Sequence, residues 1–530
     1  MTFRGARSLA AAIVAVVAIA PLAAAPSPAL SLAWPAPYKS AETVASELLE
    51  VEAAHPEIVD VVEIGRSAED RPIYAVKVSD NVAVDEGEPE VLVDALHHAN
   101  EHVTVAQALD LLHLLADGTG RSPQIDAIVN ERVTWIVPVV NPDGLDYDLS
   151  RVGGRDWRKN RQPTPGSRAI GTDLNRNYAS FWRCCDRTGR DPASRMYAGP
   201  TRFSAPETQA MRDFVVSREL DGVQRIRIYV SLHAAGRYVA WPIFPRSAGI
   251  PAITFDDRYT MDALVAGAAA RNGYAAERYL PTGGTSTDWM YSTYKVPSLL
   301  VEIGAFTGLV SRFYPSATRM AAEVAGNRAA LLWLIGEADC PSEAAGFGDR
   351  RCGPRFDDFE IEAGWIANPD GSDTATSGAF ERARPAKVRA GTVTMQLESV
   401  PSGYRALVTG AAAGRSAAAN DLDGVSTVRS PAIALGAEPG DLAFELSFSY
   451  GSSATAADWF RVWVEAEDGT RTKIYERLAA SRARGAAFAT VRRALTDWAN
   501  QTIRIVIGAG DEGSDSLVEV AVDDVRVERR

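Results

Sequence analysis

An α/β domain followed by an all-β sandwich is the fold class that this 530-residue chain predicts, and three observations carry that prediction. Helical and strand-like patterns alternate from residue 37 to 337. From Phe356 to Arg530 the period shortens to two, and Gly- and Asp-rich turns separate the runs. Between them, residues 338–355 hold Cys340, Pro341, Cys352 and Pro354 and read as a linker. Apolar residues at 46% and charged residues at 23% exclude a disordered, collagen-like or small disulfide-scaffold chain.

The first 36 residues read as an export signal. Arg4 and Arg7 precede an apolar run, Ser8 to Ala25, that ends in Ala23-Ala24-Ala25. The run approaches the length of a membrane anchor, but its alanine content and Pro26-Ser27-Pro28 favour cleavage. No later segment is apolar and long enough to span a bilayer, so no stable anchor is expected after removal of the signal. Fifty-five basic against 68 acidic residues give a net charge of −13, which argues against nucleic acid as the partner. In an exported chain the four cysteines can pair. Cys340 with Cys352 is the preferred bridge, while adjacent Cys184 and Cys185 could bond to each other or elsewhere.

Along the chain, Ser40 to Ala54 carries Val44, Leu48 and Val51 near a helical period. Ile73 to Val78 reads as a strand. Glu90 to Leu96 is a second strand, running into a histidine cluster. Thr104 to Ala116 reads as a helix with Thr104 as its N-cap. Val133 to Val140 is a buried strand ended by the turn Asn141-Pro142-Asp143-Gly144. Strand Ile226 to Leu232, helix Tyr259 to Arg271 closed by Asn272-Gly273, and strand Ser298 to Val301 continue the alternation, so the sheet is expected to be parallel or mixed. In the C-terminal zone the strands are Leu442 to Phe448, Phe460 to Val464, Ile503 to Ile507 and Val518 to Val522.

Three of the six histidines crowd into His97-His98-Ala99-Asn100-Glu101-His102 at the carboxyl end of a strand, where α/β sheets hold their sites. His98 and Glu101 offer a nitrogen and an oxygen ligand suited to zinc, and His233, at the end of another strand, offers a third. Two strand ends can converge on one ion and leave a position for water. His113, inside an apolar helix, and His55, before Pro56, read as structural or solvated residues.

The segments His98-Ala99-Asn100-Glu101, Asn141-Pro142-Asp143-Gly144, Trp157-Arg158-Lys159-Asn160-Arg161, Asp173-Leu174-Asn175-Arg176-Asn177-Tyr178, Ser231-Leu232-His233, Thr287-Asp288-Trp289 and Val301-Glu302 occur in one order. Together they resemble the zinc metallocarboxypeptidases of the carboxypeptidase A type. Gln162-Pro163 and Cys184-Cys185 extend the likeness to the bacterial carboxypeptidase T branch. The resemblance implies a mixed central sheet flanked by helices, and a secreted enzyme that removes C-terminal residues from peptides and proteins. It implies one catalytic Zn²⁺ held by His98, Glu101 and His233, with Asp173 orienting His98 from behind. Glu302 matches the general base that takes a proton from the zinc-bound water, and Arg158 the group that stabilises the oxyanion. Asn175 and Arg176 match the pair that grips the terminal carboxylate, and Tyr279 the tyrosine that closes over substrate.

The chain departs from that pattern at Asn100, Ala234 and Ala235, where the family has an arginine, a small hydroxyl residue and an aromatic, so the subsites for longer peptides differ. Thr285, Thr287, Gly283 and Gly284 predict a neutral pocket for the terminal side chain. No pro-segment is apparent between the signal and the first helix. Calcium is a second expectation, at Asp85, Glu86, Glu88 and Glu90, and in the β zone at Asn420, Asp421, Asp423, Asp523 and Asp524. The β zone resembles the jelly-roll modules attached to secreted bacterial proteases, and Trp459 is expected to pack in its core rather than bind glycans. Two rival readings use the same residues: a cell-wall peptide amidase on this framework, and a non-catalytic binding protein acting through the β zone.

Overall fold

The computed structural model describes residues 38–150, 155–184, 189–220, 223–242, 253–279, 283–304, 313–412, 421–513 and 516–530. The expected export signal, Cys185 and Asn420 lie outside the described residues.

The N-terminal region is built on an eight-stranded sheet. In chain order its strands are β1 Val59–Arg66, β2 Pro72–Val78, β3 Glu90–Ala95, β4 Val133–Val137, β5 Ile226–His233, β6 Tyr238–Pro242, β7 Ala275–Tyr279 and β8 Ser298–Glu302. Across the sheet they lie in the order β1-β2-β4-β3-β5-β8-β6-β7. The middle strands β4, β3, β5 and β8 run parallel, and antiparallel pairs adjoin them on either side. Every residue of β3 is buried, which is why it reads as one apolar run without alternation.

The helices are α1 Ala41–Ala54, α2 His102–Gly118, α3 Pro123–Glu131, α4 Pro142–Leu149, α5 Pro206–Ser217, α6 Phe255–Asn272, α7 Ser286–Tyr294 and α8 Ala317–Gly336. Ser40 caps α1 and Thr254 caps α6, each accepting from a backbone N–H of the first turn. Gly273, in the left-handed region at φ 71°, closes α6 where the sequence places the stop.

Two local expectations are corrected. Helix α2 begins at His102, so Thr104 is not its N-cap; its hydroxyl donates to the Glu101 carbonyl and accepts from the Leu96 N–H. Asn141-Pro142-Asp143-Gly144 is not a free turn but the start of α4. Asn141 accepts from the Gly144 N–H at 3.0 Å, and Pro142 sits in the first turn, where its missing N–H is no loss.

The stretch expected as a linker is folded. It holds the short helix Gly348–Arg351 and two 3-10 turns, and Cys340 is bonded to Cys352 with Cα atoms 5.3 Å apart. Cys184 is also disulfide-bonded.

From Arg355 onward the chain forms antiparallel sheets. One orders Phe380–Ala383, Ala406–Thr409, Val518–Val527, Leu442–Tyr450 and Ala489–Arg493, and the other Ile366–Ala367, Gly424–Arg429, Thr502–Asp511, Trp459–Ala466 and Arg471–Leu478. Their inner faces share one core, in which Phe444, Phe448 and Val520 meet Phe460, Val462 and Ile505. Trp459 is buried, and its indole N–H donates to Glu512 at 2.6 Å.

Of the acidic residues expected to bind calcium, Glu90 and Asp85 are engaged otherwise. Glu90 is buried and accepts from Arg218 and from the Trp135 indole, and Asp85 pairs with Arg225. Glu86 and Glu88 instead gather with Asp80 at the surface. Asp523 accepts from the Ser402 N–H, and Asp524 from the Ser402 hydroxyl. No helix among the described residues is long and apolar enough to cross a membrane.

Candidate active site

The parallel centre of the sheet brings the predicted residues together. His98 follows β3 after Leu96, whose φ of 59° turns the chain sharply out of the sheet. A positive φ at leucine costs about 1 kcal/mol or more and is retained here beside the site. Glu101 is the N-cap position of α2, and His233 ends β5. His98, Glu101 and His233 are all buried, with one ligand atom of each within 4.8 Å of the others. His98 Nδ1 lies 2.8 Å from Glu101 Oε1, His233 Nδ1 lies 3.0 Å from Glu101 Oε2, and the two Nδ1 atoms are 3.1 Å apart.

Two imidazole nitrogens and a carboxylate aimed at one point are a zinc donor set. Burial raises the Glu101 carboxyl, but the charges of His98 and His233 and their hydrogen bonds outweigh it, so Glu101 lies below the usual carboxylate range. Burial pushes His233 down to about 4 against the opposing pull of Glu101.

Behind these groups stands a layer that fixes them. Asp173 Oδ1 is 3.3 Å from His98 Nε2, and its other oxygen accepts from Arg158 Nε at 2.9 Å. Burial raises Asp173, but Arg158 and His98 hold it well below the usual range, so it stays ionised. Asp173 is buried, and its own loop secures it, since the Asn175 N–H donates to Oδ1. Glu302 ends β8 and pairs in register with His233 on the neighbouring parallel strand, so its carboxylate borders the same strand end. Arg158 feels the charge of both Glu101 and Glu302, and its Nη1 is 3.9 Å from Glu101.

On the other flank, Arg176 is buried and its Nε has no hydrogen-bond partner, as expected of a guanidinium shaped to receive an anion. Asn175 turns inward: its amide nitrogen lies 3.0 Å from His233 Nε2 and its oxygen accepts from the Ser286 N–H at 2.9 Å. The Tyr279 hydroxyl is 2.6 Å from the Thr287 hydroxyl. Gly284 is required where it stands, because a Cβ there would meet the Arg176 carbonyl at 2.2 Å.

His97 and His102 are not in the cluster, although the His97 ring stacks on His233 at 5.8 Å. His97 bonds Tyr178 and lies near Asp94, and His102 bonds Asp148. Sequence reasoning quoted Asp288 within a motif but gave it no role. Its carboxylate is buried on the first turn of α7 near Arg176, and burial pushes it up to about 7 against the opposing pull of Thr285 and Arg176. No spacing marks such a residue, because its surroundings come from a distant loop.

A family model described as zinc carboxypeptidase matches residues 44–330. A zinc carboxypeptidase from Saccharothrix mutabilis subsp. capreolus is 33% identical over 308 residues, which cover 57% of this chain and 70% of that protein. A zinc carboxypeptidase from Simulium vittatum is 33% identical over 258 residues, 46% of this chain and 77% of that one. A solved structure of bovine thrombin-activatable fibrinolysis inhibitor in complex with tick carboxypeptidase inhibitor is 24% identical, with a TM-score of 0.48, and covers 57% of this chain and 97% of that one.

Proposed function

The chain belongs to the zinc carboxypeptidase family, and from that premise we propose that it is a secreted metallocarboxypeptidase of the bacterial carboxypeptidase T branch that frees single C-terminal residues from peptides and proteins. The observation that carries this reading is the convergence of His98, Glu101 and His233, with Glu302 in register beside His233. The apolar leader, Ser8 to Ala25, supports export.

His98, Glu101 and His233 would hold the ion, whose chemistry when bound is Lewis acidity toward a carbonyl and a lowered pKa for a coordinated water. Arg176 binds the carboxylate of the peptide's last residue, which only a free C-terminus provides. Thr287 and Tyr279 border the side chain of that residue. Glu302 acts as general base: it removes a proton as the water oxygen bonds to the scissile carbonyl carbon, then hands the proton to the amine as the C–N bond breaks. Arg158, kept cationic by Asp173 and Glu101, stabilises the negative charge that builds on the carbonyl oxygen. Asp173 holds the His98 ring in the tautomer that leaves Nδ1 free to ligate.

Glu302→Gln tests the assignment. Hydrolysis of an N-blocked dipeptide with a free C-terminus should fall by roughly 10²–10⁴-fold while bound zinc per chain stays at the parent value. Parent-like turnover in that variant would refute the base.

A further inference from the structure

Helix α7 enters the pocket at one end and a buried charge network at the other. Its first turn carries Ser286 against Asn175 and Thr287 against Tyr279. Its C-cap is Lys295, in the left-handed region at φ 58°. Glycine is the default residue there, so a lysine that accepts this strain has its side chain as the reason. That side chain is nearly buried, and Nζ donates to Asp257 at 3.1 Å and to the Tyr291 hydroxyl at 3.2 Å. Asp257, at the start of α6, also accepts from Arg351 at 2.8 Å.

Arg351 comes from the segment that joins the two regions, and its guanidinium lies 4.1 Å from the ring centroid of Phe356 in the first strand of the β region. Two buried carboxylates of that region, Asp358 and Glu360, act on Lys295, and Asp358 acts on Arg351 as well. Two cations therefore meet two carboxylates from the peptidase region, Asp256 and Asp257, and two from the β region. Lys295 and Arg351 are joined through Asp257, and buried charge is tolerated only when it is matched.

We propose that Lys295 is a positioning residue for the substrate pocket: through Asp257 it ties α7 to Arg351, which packs on Phe356 beside the acidic Asp358 and Glu360, so that the C-terminal β region tunes peptide binding without touching peptide. This rests on the reading of the pocket given above. The β region is then a working part of the peptidase rather than a separable attachment.

The test uses the full chain with Lys295→Met, Lys295→Arg and the double variant Asp358→Asn/Glu360→Gln. For Lys295→Met and for the double variant, KM for the blocked dipeptide should rise by roughly tenfold with kcat within about threefold and zinc content unchanged; Lys295→Arg should recover most of the KM. Amide hydrogen exchange along Ser286–Lys295 should quicken in the same two variants. If Lys295→Met does not fold, the double variant carries the test. Unchanged KM and unchanged exchange in folded variants would overturn the proposal and leave the network as plain cement. If the parent hydrolyses no terminal residue, the functional reading falls, and the exchange measurement alone decides whether α7 depends on the β region.

Discussion

Arg176 and Asp288 define the chemistry of the pocket from opposite signs. Arg176→Ala should lower kcat/KM for peptides with a free terminal carboxylate by roughly 30-fold to 10³-fold, the effect of deleting one partner of a desolvated ion pair. Amidated peptides should lose far less, and equal loss on both would contradict the carboxypeptidase assignment. Asp288 titrates near 7 when folded against an ordinary 3.8, because burial disfavours its charge. The folded state therefore holds the proton more tightly than the unfolded chain, and stability from this group is present below about pH 4 and lost as pH rises toward 7, a span on the order of 4 kcal/mol. Asp288→Asn removes that loss, so its melting temperature relative to the parent should be higher at pH 8 than at pH 5; a constant difference would show that the carboxyl is not desolvated. The proposed metal ligands were legible because His98 and Glu101 lie three residues apart and His233 ends an apolar strand, and the family resemblance joined them. Asp288 was illegible in role because its burial depends on loop 283–285 lying against Arg176. The inward turn of Asn175 onto His233 was hidden for the same reason: the partner is 58 positions away.

Strands β3, β4, β5 and β8 were readable as short apolar runs, since a parallel strand covered on both faces has no polar alternation to confuse it. Boundaries were less legible where two signals share residues. Asn-Pro-Asp-Gly marks a turn, yet Asn at the N-cap with Pro in the first turn also opens a helix, and here it does. Helix α7 escaped notice because its nine residues are mostly polar or aromatic and its burial depends on neighbours rather than on a stripe. The Cys340–Cys352 staple acts at this scale. It closes a loop with a sequence separation of 12, over a segment with two 3-10 turns and one short helix. Replacing both cysteines by alanine should lower stability by roughly 2–3 kcal/mol in denaturant unfolding, with zinc content unchanged. A loss below about 0.5 kcal/mol would mean that the fold of the segment holds itself.

At the scale of the whole chain, the family match ends at residue 330, so similarity accounts for the peptidase region and leaves the β region to physical argument. That region was legible as sheet from its period-two texture, but its engagement with the peptidase was not, because Lys295, Arg351 and Asp358 carry no pattern until the fold assembles them. Everything the molecule is assigned to do converges on the three side chains that end β3, open α2 and end β5. The most direct measurement is a titration of zinc into chelator-stripped protein, with hydrolysis of an N-blocked, free-carboxylate dipeptide followed at each addition. The account predicts activity rising in proportion to bound zinc and stopping at one ion per chain; full hydrolysis by the stripped protein, or zinc uptake without any gain in hydrolysis, would contradict it.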